Sequence, residues 1–354
     1  MSVPDPALGV VLVSYNSGDV ILDCLETLLA ERGVRLAIVV VDNGSPDDTL
    51  ERLRGWADGS EPWSPLSNLP FVLSPAPKPV PLCKPGTPVL ATEGHTVSLL
   101  ETGRNGGFAA GVNAGLRHLA TEAAVDRFWI LNPDSLVEPG TARVFATAQP
   151  EGNFSLLGGR LLYLEDVAHT EGGRIQMDGG VIDYRTGVTH NINQFASHSQ
   201  TPTPKSESMD FITGASMVAS RRFYEEAGPM PEDYFLYYEE VDWALRRGDL
   251  PLVICEDAVV WHRAGTSIGS AAPGRSASPF SHYFKHRNRI RFVRRHFPWS
   301  LPMAFAYSLA KSVQLFGQGD RAGARAVLGG SFGLPPATGI RGRLSPEAQA
   351  LAFR

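Results

Sequence analysis

Three apolar runs constrain this chain more than any other feature. Gly9-Val10-Val11-Leu12-Val13-Ser14-Tyr15, Leu36-Ala37-Ile38-Val39-Val40-Val41 and Arg127-Phe128-Trp129-Ile130-Leu131 are continuous rather than alternating, as expected of strands covered on both faces. Each stops at a polar cluster: Ser14-Tyr15-Asn16, Asp42-Asn43-Gly44 and Asn132-Pro133-Asp134. After the first run, Val20, Ile21, Cys24, Leu25, Leu28 and Leu29 recur at helical spacing. After the second, Ser45-Pro46 reads as an N-cap followed by proline at the first helical position. Strand and helix alternating in this way predict an α/β fold with a parallel sheet and right-handed crossovers.

The remainder is less regular. Nine prolines between Asp58 and His95 exclude a long helix or a central strand and predict an inserted loop over 58–98. After Pro150 the texture turns to Gly-rich, hairpin-like pieces at Gly172-Gly173 and Asp178-Gly179-Gly180, and beyond Phe280 it becomes helical and basic. A balance of 32 Lys+Arg against 37 Asp+Glu excludes a basic nucleic-acid coat. Cys24, Cys83 and Cys255 lie too far apart for a disulfide framework or a zinc cage, which fits a reducing compartment. Without a cationic leader, and with its longest apolar stretch (His296 to Ala310) broken by Pro298 and Pro302, the chain is expected in the cytoplasm.

Ligands of an open parallel sheet bind beyond the carboxyl ends of its strands, where the three polar clusters fall. There is no P-loop, and no Gly-x-Gly-x-x-Gly follows the first strand, which disfavours a dinucleotide dehydrogenase. Asp134, after an apolar strand, suits a divalent cation that also binds phosphate oxygens. Tyr15 can cover a nucleobase, and Asp42 can accept from base or ribose or simply form the turn before Gly44. Gly107, Gly111 and Gly115 lie four apart and give a helix one smooth face for packing; Arg104 and Asn105, just before it, are candidate ligand contacts. In Tyr237-Tyr238-Glu239-Glu240-Val241-Asp242-Trp243 three acids open a predicted helix that Arg246 and Arg247 close. That pattern complements a helix dipole, but the aromatic setting also suits a carboxylate tuned as a general base. Ala258-Val259-Val260-Trp261-His262 is a strand ending in a histidine placed to share a metal with Asp134. Ser281 to Phe297 carries six Lys/Arg and no acid, either a solvated helix face or a contact with an anionic membrane or lipid-diphosphate acceptor.

These segments resemble the inverting family 2 glycosyltransferases of the GT-A fold, especially the bacterial rhamnosyltransferase-like branch. The resemblance rests on Val13-Ser14-Tyr15-Asn16, Val40-Val41-Asp42-Asn43-Gly44-Ser45, Gly103-Arg104-Asn105-Gly106-Gly107-Phe108 and Leu131-Asn132-Pro133-Asp134. It continues in Phe211-Ile212-Thr213-Gly214-Ala215-Ser216-Met217, Tyr238-Glu239-Glu240-Val241-Asp242 and Trp261-His262-Arg263-Ala264-Gly265-Thr266-Ser267. It implies a mixed, mostly parallel sheet flanked by helices, in a GT-A domain over 1–280 (nucleotide half 1–135, acceptor half 136–280) with a basic helical extension over 281–354. It implies a nucleotide-sugar site formed by Tyr15, Asn16, Asp42, Asn43, Arg104, Asn105, Gly107, Asn132 and Asp134. Mg2+ or Mn2+ would be held by Asp134 and His262, with Asn132 replacing the first acid of the family's Asp-x-Asp-type motif. The family's base falls on Glu240, with Glu239 and Asp242 as rivals, and Gly214 and Trp243 would face the acceptor. The implied activity is inverting transfer of a sugar, rhamnose from dTDP-rhamnose or a UDP-hexose, to a glycan or lipid-linked hydroxyl in cell-surface polysaccharide synthesis. The implied place is the inner face of the cell membrane, touched through 281–297. A sugar nucleotidyltransferase is disfavoured because no Lys or Arg follows the first strand in Ser14-Tyr15-Asn16-Ser17-Gly18. An inactive sugar-nucleotide or glycan-binding module is disfavoured by the acidic cluster.

Overall fold

The computed structural model describes residues 4–66, 69–83, 86–166, 172–263 and 276–354. In chain order the elements are β1 (Ala7–Ser14), α1 (Ile21–Leu29), β2 (Arg35–Asp42), α2 (Thr49–Asp58), β3 (Leu82–Cys83), β4 (Thr96–Glu101), α3 (Phe108–Ala120) and β5 (Arg127–Leu131). Next come β6 (Ser135–Val137), α4 (Thr141–Thr147), β7 (Leu156–Tyr163), β8 (Ile175–Met177), β9 (Gly180–Asp183), β10 (Val188–Asn191), β11 (Ser216–Ser220), α5 (Arg221–Ala227), α6 (Glu239–Leu245) and β12 (Leu252–His262). The chain closes with α7 (Pro279–His296), α8 (Leu301–Gly317), α9 (Arg321–Ser331), α10 (Thr338–Arg341) and α11 (Pro346–Ala352).

The three apolar runs become β1, β2 and β5, buried along almost their whole lengths. They lie in one sheet of order β3-β4-β2-β1-β5-β11-β7-β12-β6, with β8 beside β7. β2 and β5 both run parallel to β1, with Ser14 opposite Asp42 and Leu12 opposite Leu131, so all three polar clusters emerge at one edge. β11 runs antiparallel between β5 and β7. β12 runs parallel to β7 with His262 opposite Tyr163, which brings its carboxyl end to the same edge. The small sheet β9–β10 is a hairpin. Gly111 and Gly115 let α3 lie directly on β1: a Cβ at either would come within 2.5 Å of Val13 or Val11. Apolar burial at about 25 cal/mol per Å² drives such contacts, and closer approach buries more of it.

Several expectations need correcting. Ser45 does not cap a helix. Its hydroxyl accepts from the Asn16 N–H at 3.1 Å, and α2 starts at Thr49, whose N–H and hydroxyl both donate to Asp47. The Pro-rich stretch contributes only the two-residue edge strand β3, but β4 begins at Thr96, inside the span expected to be an insertion. Nor does that stretch hang free. The Trp63 indole and Leu66 N–H donate to Asp23, and the Ala76 N–H and Lys78 ammonium to Glu26 (2.6 and 2.8 Å). Both acids sit on α1. The largest revision concerns α7, expected either as a solvated basic face or as a contact with an anionic membrane or lipid-diphosphate acceptor. It is buried over most of its length, places Ile290, Phe292 and Val293 in the main core, and turns Arg287 and Arg289 inward onto backbone carbonyls. Among the described residues, no helix is long and apolar enough to cross a membrane.

Candidate active site

At the carboxyl edge of the sheet opens a cleft of about 540 Å³, within the usual range for small-molecule sites. It is lined by Tyr15 after β1, Asn43 after β2, Asn105 and Gly107 before α3, and Asn132 and Asp134 between β5 and β6. Gly214 before β11, Glu239 and Glu240 at the start of α6, and His262 at the end of β12 complete the expected set. Residues remote in sequence thus converge because their strands end together.

Asn43 and Asn105 shape the entrance to α3. The Asn43 amide donates to Gly107 O (2.9 Å) and Asn105 Oδ1 (3.3 Å), and the latter accepts from the Gly107 N–H at 2.9 Å. Gly107 has φ +90, and a side chain there would run into the Phe235 carbonyl; only glycine fits. Asp42 stops short of the cleft lining. Its Oδ2 accepts from the Gly44 and Ser45 N–H groups at 3.1 Å each, while Oδ1 is buried without a partner among the described residues. Asn16 and Arg104 are exposed and do not line the cleft.

Asp134 Oδ1 and His262 Nε2 lie 3.2 Å apart. The His262 ring is flanked by two amides, Gln176 Oε1 at 3.0 Å from Nδ1 and Asn132 Nδ2 at 3.2 Å from Nε2. Nε2 faces both the Asn132 amide and the Asp134 carboxylate, which accepts the Nε2 proton when the ring carries one. With the ring neutral and its proton on Nδ1, Nε2 and Asp134 Oδ1 stand side by side as a nitrogen and an oxygen ligand. Burial lowers the His262 pKa, but the Asp134 charge and hydrogen bond outweigh it and raise the pKa overall. No cluster of three or more His, Cys, Asp or Glu side chains able to hold a metal occurs among the described residues. The donor set therefore fits an ion that takes one or two protein ligands and fills its shell with phosphate oxygens and water, as Mg2+ or Mn2+ does, and not a structural zinc. Of the expected motif after His262, Ala264 to Ser267 lie outside the described residues.

The three rival acids separate by environment. Asp242 is fully buried and does not line the cleft. It accepts from the Tyr234 hydroxyl (2.7 Å), Arg246 and Arg295 (2.8 Å each) and His296 (3.0 Å). Burial alone would raise its pKa, but those donors hold it well below the ordinary carboxylate range. Glu239 is buried with Oε2 unpartnered among the described residues, and burial, then the Glu240 charge, push its pKa far up. Glu240 is half-buried in the cleft wall. Burial raises its pKa against the opposing charge of Lys285. Across from it, a Cβ at Gly214 would sit 3.7 Å from the Glu240 Cβ, so glycine leaves room there. Trp243, expected toward the acceptor, is instead core: it packs on Phe223 and donates to Gly228 O at 2.9 Å.

The turn that presents these acids is strained. Phe235, Tyr237 and Tyr238 have φ of 67, 70 and 76, a region non-glycine residues rarely occupy. Asn288 of α7, fully buried, holds the turn by donating to Tyr234 O, Leu236 O and Tyr237 O at 2.8, 2.6 and 3.1 Å. The sequence missed Gln176 and Tyr307, and placed Lys285 and Arg289 on a solvated helix face or a contact with an anionic membrane or lipid-diphosphate acceptor; all four line the cleft. The four-residue spacing of Ser281, Lys285 and Arg289 does put them on one helical face, a signal that was available. Nothing local marks Gln176.

Residues 9–67 match the family model "Glycosyl transferase family 2". Over 200 residues the chain is 24% identical to the low-salt glycan biosynthesis hexosyltransferase Agl10 of Haloferax volcanii, a match covering 55% of this chain and 59% of that protein. The mannosyltransferase PcManGT from Pyrobaculum calidifontis, solved with GDP-Man and Mn2+, superposes with a TM-score of 0.50 at 17% identity, over 93% of this chain and 89% of that one. The fold is of the GT-A type. S. aureus TarS 1–349, solved with UDP-GlcNAc, gives a TM-score of 0.49 at 13% identity, over 98% and 83% of the two chains. Within the GT-A frame, the helices beyond 281 stand as the C-terminal helical region.

Proposed function

We propose that the protein is a glycosyltransferase that moves a hexose from a nucleotide-diphosphate donor to an acceptor hydroxyl with inversion at the anomeric carbon. The observation that carries this reading is the meeting of the Asp134–His262 pair and Glu240 in one cleft at the carboxyl edge of the sheet. The partial match to the family 2 model and the distant hexosyltransferase relative support it. Tyr15 covers the base. Asn43 and Asn105 bound the nucleotide pocket, and Asp42 behind them fixes the turn at Gly44 and Ser45 through Oδ2. Asp134 and His262 would hold a divalent ion, which would supply neutralisation of charge on the departing diphosphate; Asn132 and Gln176 orient His262. Glu240 takes the proton from the acceptor hydroxyl as that oxygen attacks the anomeric carbon from the face opposite the diphosphate. Burial raises its proton affinity toward the range a general base needs. Burial and the neighbouring Glu240 charge raise the pKa of Glu239, which disfavours a second charge beside the base.

The donor proposed is dTDP-rhamnose or a UDP-hexose, and the acceptor a glycan or lipid-linked hydroxyl in cell-surface polysaccharide synthesis on the cytoplasmic side. The two halves proposed within 1–280 are the nucleotide half up to 135 and the acceptor half beyond it. Thermal shift across a panel of nucleotide sugars with Mg2+ or Mn2+ identifies the donor, because a ligand bound only by the folded state raises the melting point. With that donor, Glu240→Gln is expected to lower transfer at least a hundredfold with an unchanged thermal shift. Retained transfer moves the base elsewhere, and a panel without any shift overturns the donor reading.

A further inference from the structure

Helix α8 is amphipathic in the wrong sense for a surface helix. Its buried positions are Ala304, Ser308, Ser312 and Leu315, spaced four, four and three apart. The serines are satisfied inside: Ser308 Oγ meets His286 Nδ1 (3.1 Å) and accepts from Ser331 Oγ (2.7 Å), and Ser312 Oγ donates to Ala324 O at 3.0 Å. Small hydroxyl residues let α7, α8 and α9 pack closely, and they use up the inner face. The large apolar side chains are left outside. Trp299, Met303, Leu309, Val313, Phe316 and Phe332 are each between 46% and 75% exposed. Gln314 and the Lys311 that donates to it are the polar exceptions on this side of α8, and exposed apolar surface of this extent marks a docking site.

We propose that this outer face of α8 beds into the headgroup region of an anionic bilayer. Charge selects that occupant over a second copy of the chain. Residues 281–343 hold eleven Lys/Arg and one acid, Asp320; Arg287 and Arg289 turn inward and Lys285 lines the cleft, while Arg294, Arg321, Arg325, Arg341 and Arg343 are exposed. Several of these cations rim the apolar stripe: Arg321 lies over the Phe316 ring at 5.7 Å, and Arg294 and Arg325 are exposed on the neighbouring helices. An apolar face framed by cations matches an interface of acyl chains under anionic headgroups, whereas two such faces from two copies would bring like charges together. Trp299 and Tyr307 are residue types that favour the membrane interface. The face lies on the membrane rather than through it, since α8 is 17 residues long with a proline in its first turn. Tyr307 of the same helix lines the cleft, so docking sets the cleft beside the bilayer. On the glycosyltransferase reading, the acceptor hydroxyl then belongs to a lipid-anchored glycan.

The test is sedimentation of the full chain with phosphatidylcholine vesicles, with and without phosphatidylglycerol, following the emission of Trp299. Binding at least about tenfold stronger to the anionic vesicles, with a blue shift, is expected. The triple variant Leu309→Asp, Val313→Asp, Phe316→Asp should lose the binding and the shift while keeping its melting temperature. Arg321→Glu with Arg325→Glu should lose the preference for anionic lipid. No binding to either vesicle overturns the proposal, as does a dimer seen by light scattering that the triple variant dissolves, which would make a second copy the occupant. No nucleotide enters these measurements, so they succeed or fail independently of the donor panel.

Discussion

Glu240 and Asp242 stand two residues apart at the start of one short helix, and their surroundings give them opposite tasks. A carboxylate surrounded by a tyrosine hydroxyl, two arginines and a histidine is fixed in its ionised form and has no proton affinity to lend to chemistry. A carboxylate in a half-buried cleft wall with a raised pKa does. Asp242→Asn is therefore expected to act on stability, by roughly 1.5–3 kcal/mol, because the buried carboxylate loses its charge-assisted hydrogen bonds to Arg246, Arg295 and His296. Chemical denaturation measures that loss, and donor affinity of the folded fraction should not change. A stable Asp242→Asn protein with no transfer would instead put the base at Asp242. The sequence could nominate all three acids but not rank them, since identical side chains in one turn differ only in what other elements bring to them.

At the scale of elements, α7 was read as a charged surface and is a buried strut. Its Asn288 amide, with three backbone acceptors, keeps the 234–238 turn in a conformation the turn would not hold alone. Asn288→Leu keeps the volume and removes the amide donor that ties these carbonyls together, while Tyr234 O still accepts from Arg287 at 2.8 Å. It should cost on the order of 3 kcal/mol and lower transfer more than donor binding, which denaturation and a split of kcat from donor affinity would show. Equal kcat would mean that the turn holds itself. A second element-level effect lies at the junction of α1 and α4. Glu31 is buried, accepts from the Gly140 N–H at 3.1 Å, and burial pushes its pKa up to about 7. A carboxyl that binds its proton more tightly folded than unfolded favours folding at low pH. That advantage is complete below pH ~4.5 and is lost as pH rises through about 7. Glu31→Gln should thus raise the melting temperature at pH 8 and leave it nearly unchanged at pH 5. Equal shifts at both would show that Glu31 is not the group responsible.

For the whole molecule, the sheet is the device that assembles the site. On the proposed function, donor and metal would reach residues from β1, β2, β5 and β12 at once, so binding should be coupled to global stability. Removing divalent ions with a chelator is expected to abolish transfer and to shrink the donor-induced rise in melting temperature, with Mn2+ or Mg2+ restoring both. A donor shift indifferent to chelator would leave Asp134 and His262 as a plain hydrogen-bonded pair. The strands and the polar clusters that end them were legible because burial on both faces writes itself locally, as an uninterrupted apolar run. The same holds for Gly111 and Gly115, whose spacing matches the helix repeat, whereas Gly107 shares the spacing but precedes α3 and is set by its positive φ and the Phe235 carbonyl. Ser45, Arg104, Trp243 and the arginines of α7 were misread for a common reason. Periodicity tells which side chains share a face, and charge tells what a face could attract, but neither tells what the face meets. An arginine given internal carbonyls is structural, and the same arginine facing water is a surface. Sequence alone therefore determined the sheet, its chemical edge and the candidates on it; tertiary packing decided which acid is open to the cleft, that α7 looks inward, and that α8 turns its apolar side out.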